Sequence, residues 1–382
     1  MTVHRRSVAL LIVCAIVPVF GTIALASDLG TVEGLGKALF HDPNLSLNRT
    51  QSCSTCHDPE FAFADPRGAA SLGDDGVSLG DRSAPSAAYA AFSPPFHIDE
   101  EGNARGGQFW DGRAETLAEQ AGGPPLNPAE MGMPSRQAVV GRILENEDYV
   151  AAFKAHFGDA VLSDADTGYN AMTDAIAAFE MTDELSPFNS RYDRYLDGAT
   201  ELTREEQLGE ALFFSQQFTN CGMCHQLRPT GVRQREPFSN YEFHNVGTPE
   251  NTALRMENGV PIGTIDDGLA SNERASSASN RGKFKVPTLR NVAITAPYMH
   301  NGVFQDLRTV ILFYNRYNTR SESRHINPET GQMFRNPEVP STLAMEKLTH
   351  GRALKDREID ALVAFLKTLT DERYEHLISD NF

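Results

Sequence analysis

The sequence contains the motif Cys-x-x-Cys-His twice, as CSTCH at 53–57 and as CGMCH at 221–225. In this motif the two thiols add to the vinyl groups of a haem, and the histidine that follows binds the haem iron. A zinc knuckle would need further ligand pairs at regular spacing, and a thioredoxin-like redox pair would not need the histidine twice. The motifs therefore predict two covalently attached c-type haems. The predicted attachment residues are Cys53, Cys56 and His57 for the first haem, and Cys221, Cys224 and His225 for the second.

The first 26 residues have the pattern of a secretory signal peptide. A basic start at residues 4–6 precedes a long apolar stretch, which ends in the small-x-small cleavage site Ala24-Leu25-Ala26. The alternative is an uncleaved membrane anchor, but Pro18 interrupts the apolar run. No other stretch of the sequence is long and apolar enough to span a bilayer. We therefore expect export to the periplasm, with no membrane attachment after the signal peptide is cleaved.

The predicted mature chain is strongly acidic. Cleavage after residue 26 leaves 32 basic residues against 51 acidic residues, which gives a net charge of about −19. A negative charge of this size disfavours binding to nucleic acid or to an anionic membrane surface. It would suit a protein partner that carries a basic patch.

An internal repeat surrounds the two haem motifs. The sequences LGKALF at 35–40 and LGEALF at 208–213 each precede one motif, and each motif is followed far downstream by apolar residues at helical spacing, at 169–182 and 354–371. This pattern predicts a mainly α-helical fold with little strand, built from two cytochrome c-like domains. The predicted divisions are a signal peptide at 1–26, an N-terminal haem domain at 27–195 and a C-terminal haem domain at 196–382.

Five segments together resemble the bacterial dihaem cytochrome c peroxidase family, which includes the MauG-type enzymes. They follow the family's order and span nearly all of the predicted mature chain. The segments are LGKALFHDPNLSLNRTQSCSTCH at 35–57, QFWDGRAETLAEQA at 108–121, NPAEM at 127–131, KVPTLRNVAITAPYMHNG at 285–302 and the C-terminal helical segment. The resemblance implies an enzyme that reduces hydrogen peroxide at the N-terminal haem and handles electrons at the C-terminal haem.

The resemblance assigns roles to three residues around the peroxide site. Glu130 matches the family's catalytic acid–base, which moves a proton from one peroxide oxygen to the other. Gln120 matches an amide that orients peroxide, with a place on a helix surface as its alternative. Trp110, the only tryptophan in the chain, matches an indole that lies between the two haems and couples them. The alternative for this residue is core packing.

The chain departs from the family where closed members carry a removable distal histidine, in a setting like SxGH. This chain has SLGDD at 71–75, with Asp74 at the position of the histidine. Because aspartate is a poor ligand for haem iron, we expect the first haem to have an open site without prior reduction. His97, in an additional segment at 93–107, is a substitute ligand only if it swings towards the iron. A surface or packing role for His97 is the interpretation that we favour.

The ligand opposite His225 decides how the second haem is used. It is a methionine in the cytochrome-oxidising branch of the family and a tyrosine in the MauG branch, and the resemblance places Tyr314 at this position. Tyr314 also follows residues 307, 310 and 311 at helical spacing, so all four share one apolar face. A thioether stabilises ferrous iron, whereas a phenolate stabilises the higher oxidation states. The alternatives are a tyrosine that only packs in the core, or ligation by Tyr317, Met299, Met333 or Met345.

The resemblance further implies a calcium ion between the haems. Thr295 and Pro297 match backbone ligands of that site, and Ser83 stands where the family has an asparagine. A serine hydroxyl is a weaker oxygen ligand than an amide carbonyl, so the sequence supports this ion less strongly than it supports the haems.

The sequence therefore predicts a periplasmic, MauG-like dihaem peroxidase, either monomeric or homodimeric. Its expected partners are hydrogen peroxide and a reductant, which is an electron-donor protein or a protein substrate oxidised at tryptophan or tyrosine. One alternative is a conventional cytochrome c peroxidase that detoxifies peroxide with electrons from a small cytochrome or cupredoxin. The other is a dihaem electron carrier without turnover.

Overall fold

The computed structural model describes residues 29–227 and 235–378, and the predicted signal peptide lies outside these ranges. The described chain is mainly helical, with short 3-10 segments between the helices and three two-stranded antiparallel sheets, which confirms the predicted fold class. Its α-helices are α1 (Val32–Phe40), α2 (Cys53–Cys56), α3 (Leu117–Ala121), α4 (Arg136–Leu144), α5 (Glu147–Phe157), α6 (Ala165–Glu180), α7 (Arg191–Leu196), α8 (Arg204–Phe213), α9 (Cys221–Cys224), α10 (Thr252–Asn258), α11 (Leu307–Asn315), α12 (Met345–Leu348) and α13 (Asp356–Lys367). Its strands are β1 (His97–Ile98) paired with β2 (Ala104–Arg105), β3 (Phe243–His244) with β4 (Phe284–Lys285), and β5 (Ile326–Asn327) with β6 (Gln332–Met333), all antiparallel. None of the described helices meets the length and apolarity that crossing a bilayer requires.

The internal repeat takes the form of two crossed helix pairs. Helix α1 packs on α6, and helix α8 packs on α13. At each crossing the glycine of the LGxALF sequence touches the backbone of the partner helix. A Cβ atom added at Gly36 would lie 1.8 Å from the carbonyl oxygen of Ala175, and one added at Gly209 would lie 1.9 Å from that of Ala361. Only glycine allows so close an approach, and both halves place a glycine at the point where the two helices cross.

Two buried apolar clusters follow from these helix pairs. The first draws on α1, α4, α5 and α6 and reaches Leu185, and the second begins at Tyr192 and continues into α8, α11 and α13. The change of core thus falls between Leu185 and Tyr192, at the start of α7 and a few residues before the predicted boundary. We retain 195/196 as the proposed boundary between the two haem domains.

A buried arginine joins the two halves. The side chain of Arg290 is 1% exposed and forms two hydrogen bonds with the carboxylate of Asp193, one of them 2.9 Å from Nη2 to Oδ1. Its guanidinium carbon also lies 5.4 Å from the ring centre of Tyr89 and 4.9 Å from that of Phe188. Removing one partner of a buried ion pair typically costs about 3–5 kcal/mol, because the other charge is left unpaired. This cluster therefore fixes how the two halves sit against each other.

The glycine crossings give a prediction about stability. Gly36→Ala and Gly209→Ala should each lower the free energy of unfolding by about 1–3 kcal/mol, because the added methyl group forces two packed helices apart. Gly141→Ala is the matched control: Gly141 lies in α4, and an added Cβ there meets no atom within 4 Å. Alanine at that helical site should be neutral or stabilise by up to about 1 kcal/mol. The measurement is the denaturation midpoint of each holoprotein. Equal midpoints for all three variants would show that the crossings tolerate a side chain.

Candidate haem and peroxide sites

Both Cys-x-x-Cys-His motifs adopt one turn of helix followed by a histidine with the same hydrogen bond. Nδ1 of His57 lies 3.2 Å from the carbonyl oxygen of Phe63, and Nδ1 of His225 lies 3.3 Å from that of Phe238. Both phenylalanines adopt a positive φ of 55°, which turns their carbonyl groups towards the imidazoles. Donation from Nδ1 leaves Nε2 as the free lone pair, which is the arrangement of a metal-ligating histidine.

The electrostatics of these motifs also fit haem attachment. Burial lowers the pKa of His57, and it lowers the pKa of His225 to about 4, so both imidazoles are neutral and able to bind iron. The four cysteines of the motifs are free thiols, so none is spent on a disulfide.

A cavity of about 280 Å³ opens beside the second motif and fits the second haem. Cys221, Cys224 and His225 line it, and so does Tyr314 from α11. The rest of the wall is predominantly apolar, as the flat face of a porphyrin requires. Among the apolar residues are Phe213, Val286, Leu289, Leu307, Val310 and Ile311. The three apolar positions that the helical spacing placed beside Tyr314 thus share a wall with it.

The Tyr314 hydroxyl is protonated in a cavity that holds no cation. Burial raises the pKa of its hydroxyl, and the nearby thiols of Cys224 and Cys221 would raise it further if they were ionised. Without a cation the phenol therefore stays protonated. An iron ion in the cavity would favour the phenolate, and thioether formation would remove the opposing thiolate charge.

Of the four alternative ligands for the second haem, only one lines the cavity. The hydroxyl of Tyr317 donates a hydrogen bond of 3.1 Å to the carbonyl oxygen of Val246, and Tyr317 does not line the cavity. Met333 and Met345 are 56% and 43% exposed and are also absent from the cavity wall. Met299 does line the cavity, so it is the methionine against which ligation by tyrosine has to be tested.

Glu130 lies near the first motif with a perturbed carboxyl group. Burial raises its pKa from the usual 4.5, while the charge of Arg113 and a hydrogen bond from Asn127 act in the opposite direction. Conversely, the Glu130 carboxylate contributes to the raised pKa of both Cys53 and Cys56, behind the larger effect of burial. A carboxyl group with a raised pKa at this place can both accept and return a proton.

Asp74 is held in place by the polypeptide around it. Its carboxylate accepts hydrogen bonds from the hydroxyls of Ser46 (2.7 Å) and Thr50 (2.5 Å) and from the backbone N–H of Asn48. Burial would raise its pKa, but these hydrogen bonds outweigh burial and lower it. Its own backbone N–H donates to the carbonyl oxygen of Glu130 at 2.7 Å. Asp74 therefore acts as a structural anchor that also positions the turn carrying Glu130.

His97 is exposed on the hairpin formed by β1 and β2. Its Nδ1 lies 2.9 Å from the carbonyl oxygen of Pro95, and β2 continues into Gly106, whose N–H donates to the carbonyl oxygen of Tyr241 at 2.9 Å. A second tie is the ion pair between Arg105 and a glutamate of the C-terminal half. This position matches the surface role that we favour for His97.

Trp110 lies at the junction of the two halves and lines the second cavity. Its Nε1–H donates to the carbonyl oxygen of Ser83 at 2.9 Å, and its own carbonyl accepts the backbone N–H of Lys285 at 2.9 Å. Ser83 in turn donates its backbone N–H to the carbonyl of His300 at 2.8 Å. The indole is thus fixed between an N-terminal loop and a C-terminal strand, beside the second haem site.

The roles of Gln120 and of the expected calcium ligands stay predictions. Gln120 is half-buried on α3. At the expected calcium site, the Ser83 hydroxyl donates to the carbonyl of Met299 at 3.1 Å. Thr295 and Pro297 follow a 3-10 turn in the chain segment that leads to Met299.

Two charged side chains near the haem sites, one buried and one half-buried, were not identified from the sequence. Glu180 ends α6 close to Cys53; burial raises its pKa to about 8, and its Oε2 has no hydrogen-bond partner among the described residues. The signal that could have found it is a glutamate on the apolar face of a helix, next to Phe179. The other is Lys285, a lysine in the otherwise apolar run FKVPTL that lines the second cavity.

Comparisons with known proteins agree with this geometry. The sequence profile of the family described as di-haem cytochrome c peroxidase matches residues 31–201. The methylamine utilization protein MauG of Paracoccus denitrificans is 48% identical over 372 residues, which is 96% of this chain and 95% of that protein. The cytochrome c peroxidase Ccp of Escherichia coli is 34% identical, over 75% of this chain and 54% of that protein.

A solved structure leads to the same family. The diheme peroxidase BthA from Burkholderia thailandensis aligns with a TM-score of 0.80 at 34% identity, over 91% of this chain and 88% of that one. The fold, the two haem motifs and a relative that matches almost the full length of both chains all agree. The chain belongs to the di-haem cytochrome c peroxidase family, and within it to the MauG-like branch.

Proposed function

We propose that this dihaem peroxidase reduces hydrogen peroxide at the first haem and passes the oxidising equivalents to a second haem ligated by His225 and Tyr314. The observation that carries the proposal is the single cavity that both of these residues line. The first haem would be attached through Cys53, Cys56 and His57, and the second through Cys221 and Cys224. When bound, the two haems supply the iron that reduces peroxide and a second redox centre.

The chain's own residues would handle the protons. The Glu130 carboxylate would accept a proton from one oxygen of hydrogen peroxide and return it to the other oxygen, which leaves as water. Burial raises the pKa of Glu130, so the carboxylate binds a proton from peroxide more strongly than an ordinary glutamate would. Asp74 would keep Glu130 in place through the hydrogen bond to its carbonyl oxygen. Gln120 would orient the peroxide.

Trp110 would couple the two centres. Its indole lines the second cavity, and the loop that carries it belongs to the N-terminal half. The hydrogen bond from Nε1 to Ser83 restricts the orientation of the ring, and the bond from the N–H of Lys285 holds the backbone of Trp110. A fixed aromatic ring between redox centres provides a shorter path for electrons than backbone alone.

We further propose export to the periplasm through the signal peptide at 1–26, and an interhaem calcium ion bound by Thr295, Pro297 and Ser83. The reductant would be a protein oxidised at tryptophan or tyrosine. The acidic chain favours a partner with a basic patch.

One observation favours the conventional cytochrome c peroxidase as a second candidate. Met299 lines the same cavity as Tyr314, and a thioether ligand would make the second haem a good acceptor of electrons from a small cytochrome. Steady-state turnover with a reduced cytochrome separates the candidates, because a haem with a tyrosinate ligand is a poor acceptor.

The proposed function gives a prediction about the resting state. Because the Asp74 carboxylate is occupied by four hydrogen bonds, the fully ferric protein should contain one high-spin haem and react with peroxide without prior reduction. The measurement is electron paramagnetic resonance of the ferric protein, followed by stopped-flow mixing with peroxide. His97→Ala is the control and should change neither result. A ferric protein in which both haems are low-spin, and which needs half-reduction before it reacts, would contradict the open site.

A further inference from the structure

Lys285 is a cation at the second cavity without a carboxylate partner. It ends strand β4 opposite Phe243, and its side chain forms part of the cavity wall. Its Nζ donates a short hydrogen bond to the carbonyl oxygen of Gly107. Among the described residues no acidic side chain forms an ion pair with it. The carboxylate that raises its pKa, Asp111, is held by two arginines instead.

This arrangement leaves the ammonium group incompletely satisfied. An ammonium group has three N–H donors, and the single carbonyl of Gly107 accepts only one of them. Enclosing an unpaired charge in protein is costly, and burial accordingly lowers the pKa of Lys285 to about 7. Lys285 is half-buried, and it lines the cavity.

The arginine and the other lysine of the cavity wall differ from Lys285. Arg352 lies at an exposed rim and pairs with Glu358 at 2.6 Å. Lys347 lies 3.8 Å from the carboxylate of Glu242, and it is the cation that opposes the burial-raised pKa of Cys224. Lys347 thus marks the edge of the cavity where the thiols would attach the haem. Lys285 does not contribute there.

A haem carries two carboxylates, its propionates, on an edge of the macrocycle separate from the vinyl groups that react with cysteine. We propose that Lys285 binds a propionate of the second haem, so that one side chain joins that propionate to the carbonyl of Gly107 while its backbone N–H holds the carbonyl of Trp110. The inference rests on the proposed function in that the second haem must occupy this cavity. It makes Lys285 a positioning residue that ties the haem to the loop carrying Trp110.

The pairing predicts how the second haem should respond to loss of the charge. In Lys285→Met the propionate would lack its cation, so the ferric state would gain stability and the reduction potential would fall. The lone propionate would also take up a proton when the iron is reduced. The potential should then decrease with rising pH near neutrality, by up to about 59 mV per pH unit for one proton per electron. In the parent the ion pair should keep the potential nearly constant between about pH 6 and 8.

The experiment is a spectroelectrochemical titration of the holoproteins at several pH values, with resonance Raman spectra of the haem propionate bending mode. Lys285→Arg retains a cation and should restore the flat pH profile. Lys283→Met is the matched control, because Lys283 lies two residues away, bonds to Asn280 at 3.0 Å and does not line the cavity. If Lys285→Met does not yield holoprotein, Lys285→Gln, which keeps a donor without charge, should show the same pH dependence.

The outcomes separate this inference from the proposed function. A preparation with one haem per chain would overturn the proposed function itself. Two haems per chain, with a potential, pH profile and propionate band that are unchanged in both Lys285→Met and Lys285→Gln, would overturn only the role of Lys285. A parent potential that already follows pH with a full proton per electron would also overturn it.

Discussion

Glu130→Gln should slow peroxide-driven oxidation by about 10²–10⁴-fold, the range typical of a lost general acid–base. The amide keeps the size of the side chain but cannot accept a proton from peroxide. Both haems should still be present with normal spectra, since Glu130 is not an attachment residue. The measurement is the second-order rate constant for the reaction of ferric protein with peroxide.

The pH dependence gives an independent check on Glu130. Only the carboxylate accepts a proton, so the rate in the parent should fall as the pH drops through the pKa of Glu130. Burial places that pKa above the usual 4.5, and the decrease in rate should therefore begin above that pH. It should disappear in Glu130→Gln. Glu101→Gln, at an exposed position in the β1–β2 hairpin, is the control and should behave like the parent. Parent-like kinetics in Glu130→Gln would mean that the carboxyl group takes no part.

Tyr314→Met should convert the second haem into one that is markedly easier to reduce. A phenolate favours ferric iron, whereas a thioether favours ferrous iron, so the reduction potential should rise. Turnover with a reduced cytochrome should increase in parallel, because the haem becomes a better electron acceptor. Tyr314→Phe should leave the axial position without a ligand and give a high-spin second haem. The measurement is a spectroelectrochemical titration of each variant beside the parent.

Two further variants control the assignment of Tyr314. Tyr317→Phe removes a hydroxyl that bonds to Val246 outside the cavity, and it should leave the potential unchanged. Met299→Leu should also have little effect if tyrosine is the ligand. A parent potential that is already high, does not move in Tyr314→Met and falls in Met299→Leu would assign the ligand to Met299. The conventional cytochrome c peroxidase would then be the better description.

The parts of the sites that could be predicted from the sequence are those that have local causes. A Cys-x-x-Cys-His motif is a single turn of chain, and the helical spacing that places Tyr314 on an apolar face lies within α11. The LGxALF helices were likewise readable from periodicity. The residue types and their spacing carried these predictions without any knowledge of distant contacts.

The parts that escaped prediction depend on contacts between distant segments. The roles of Arg290 and Lys285 follow from partners that lie 97 and 178 residues away. The sequence shows Asp74 only as the absence of a histidine, because the four hydrogen bonds to its carboxylate come from a loop more than 20 residues earlier. A charged residue in an apolar run is a visible signal, but its partner cannot be named before the chain is folded.

The buried arginine between the halves has a consequence for the history of this duplicated chain. Arg290 belongs to the second copy of the repeat, but its carboxylate partner, Asp193, precedes the proposed boundary. Tyr192, also before that boundary, packs in the second core. A cut at 195/196 would therefore remove the ring of Tyr192 from the second core. It would also leave the positive charge of Arg290 buried without its carboxylate partner. The two copies therefore depend on each other for their structure, and they would be inherited, recombined and degraded as one body.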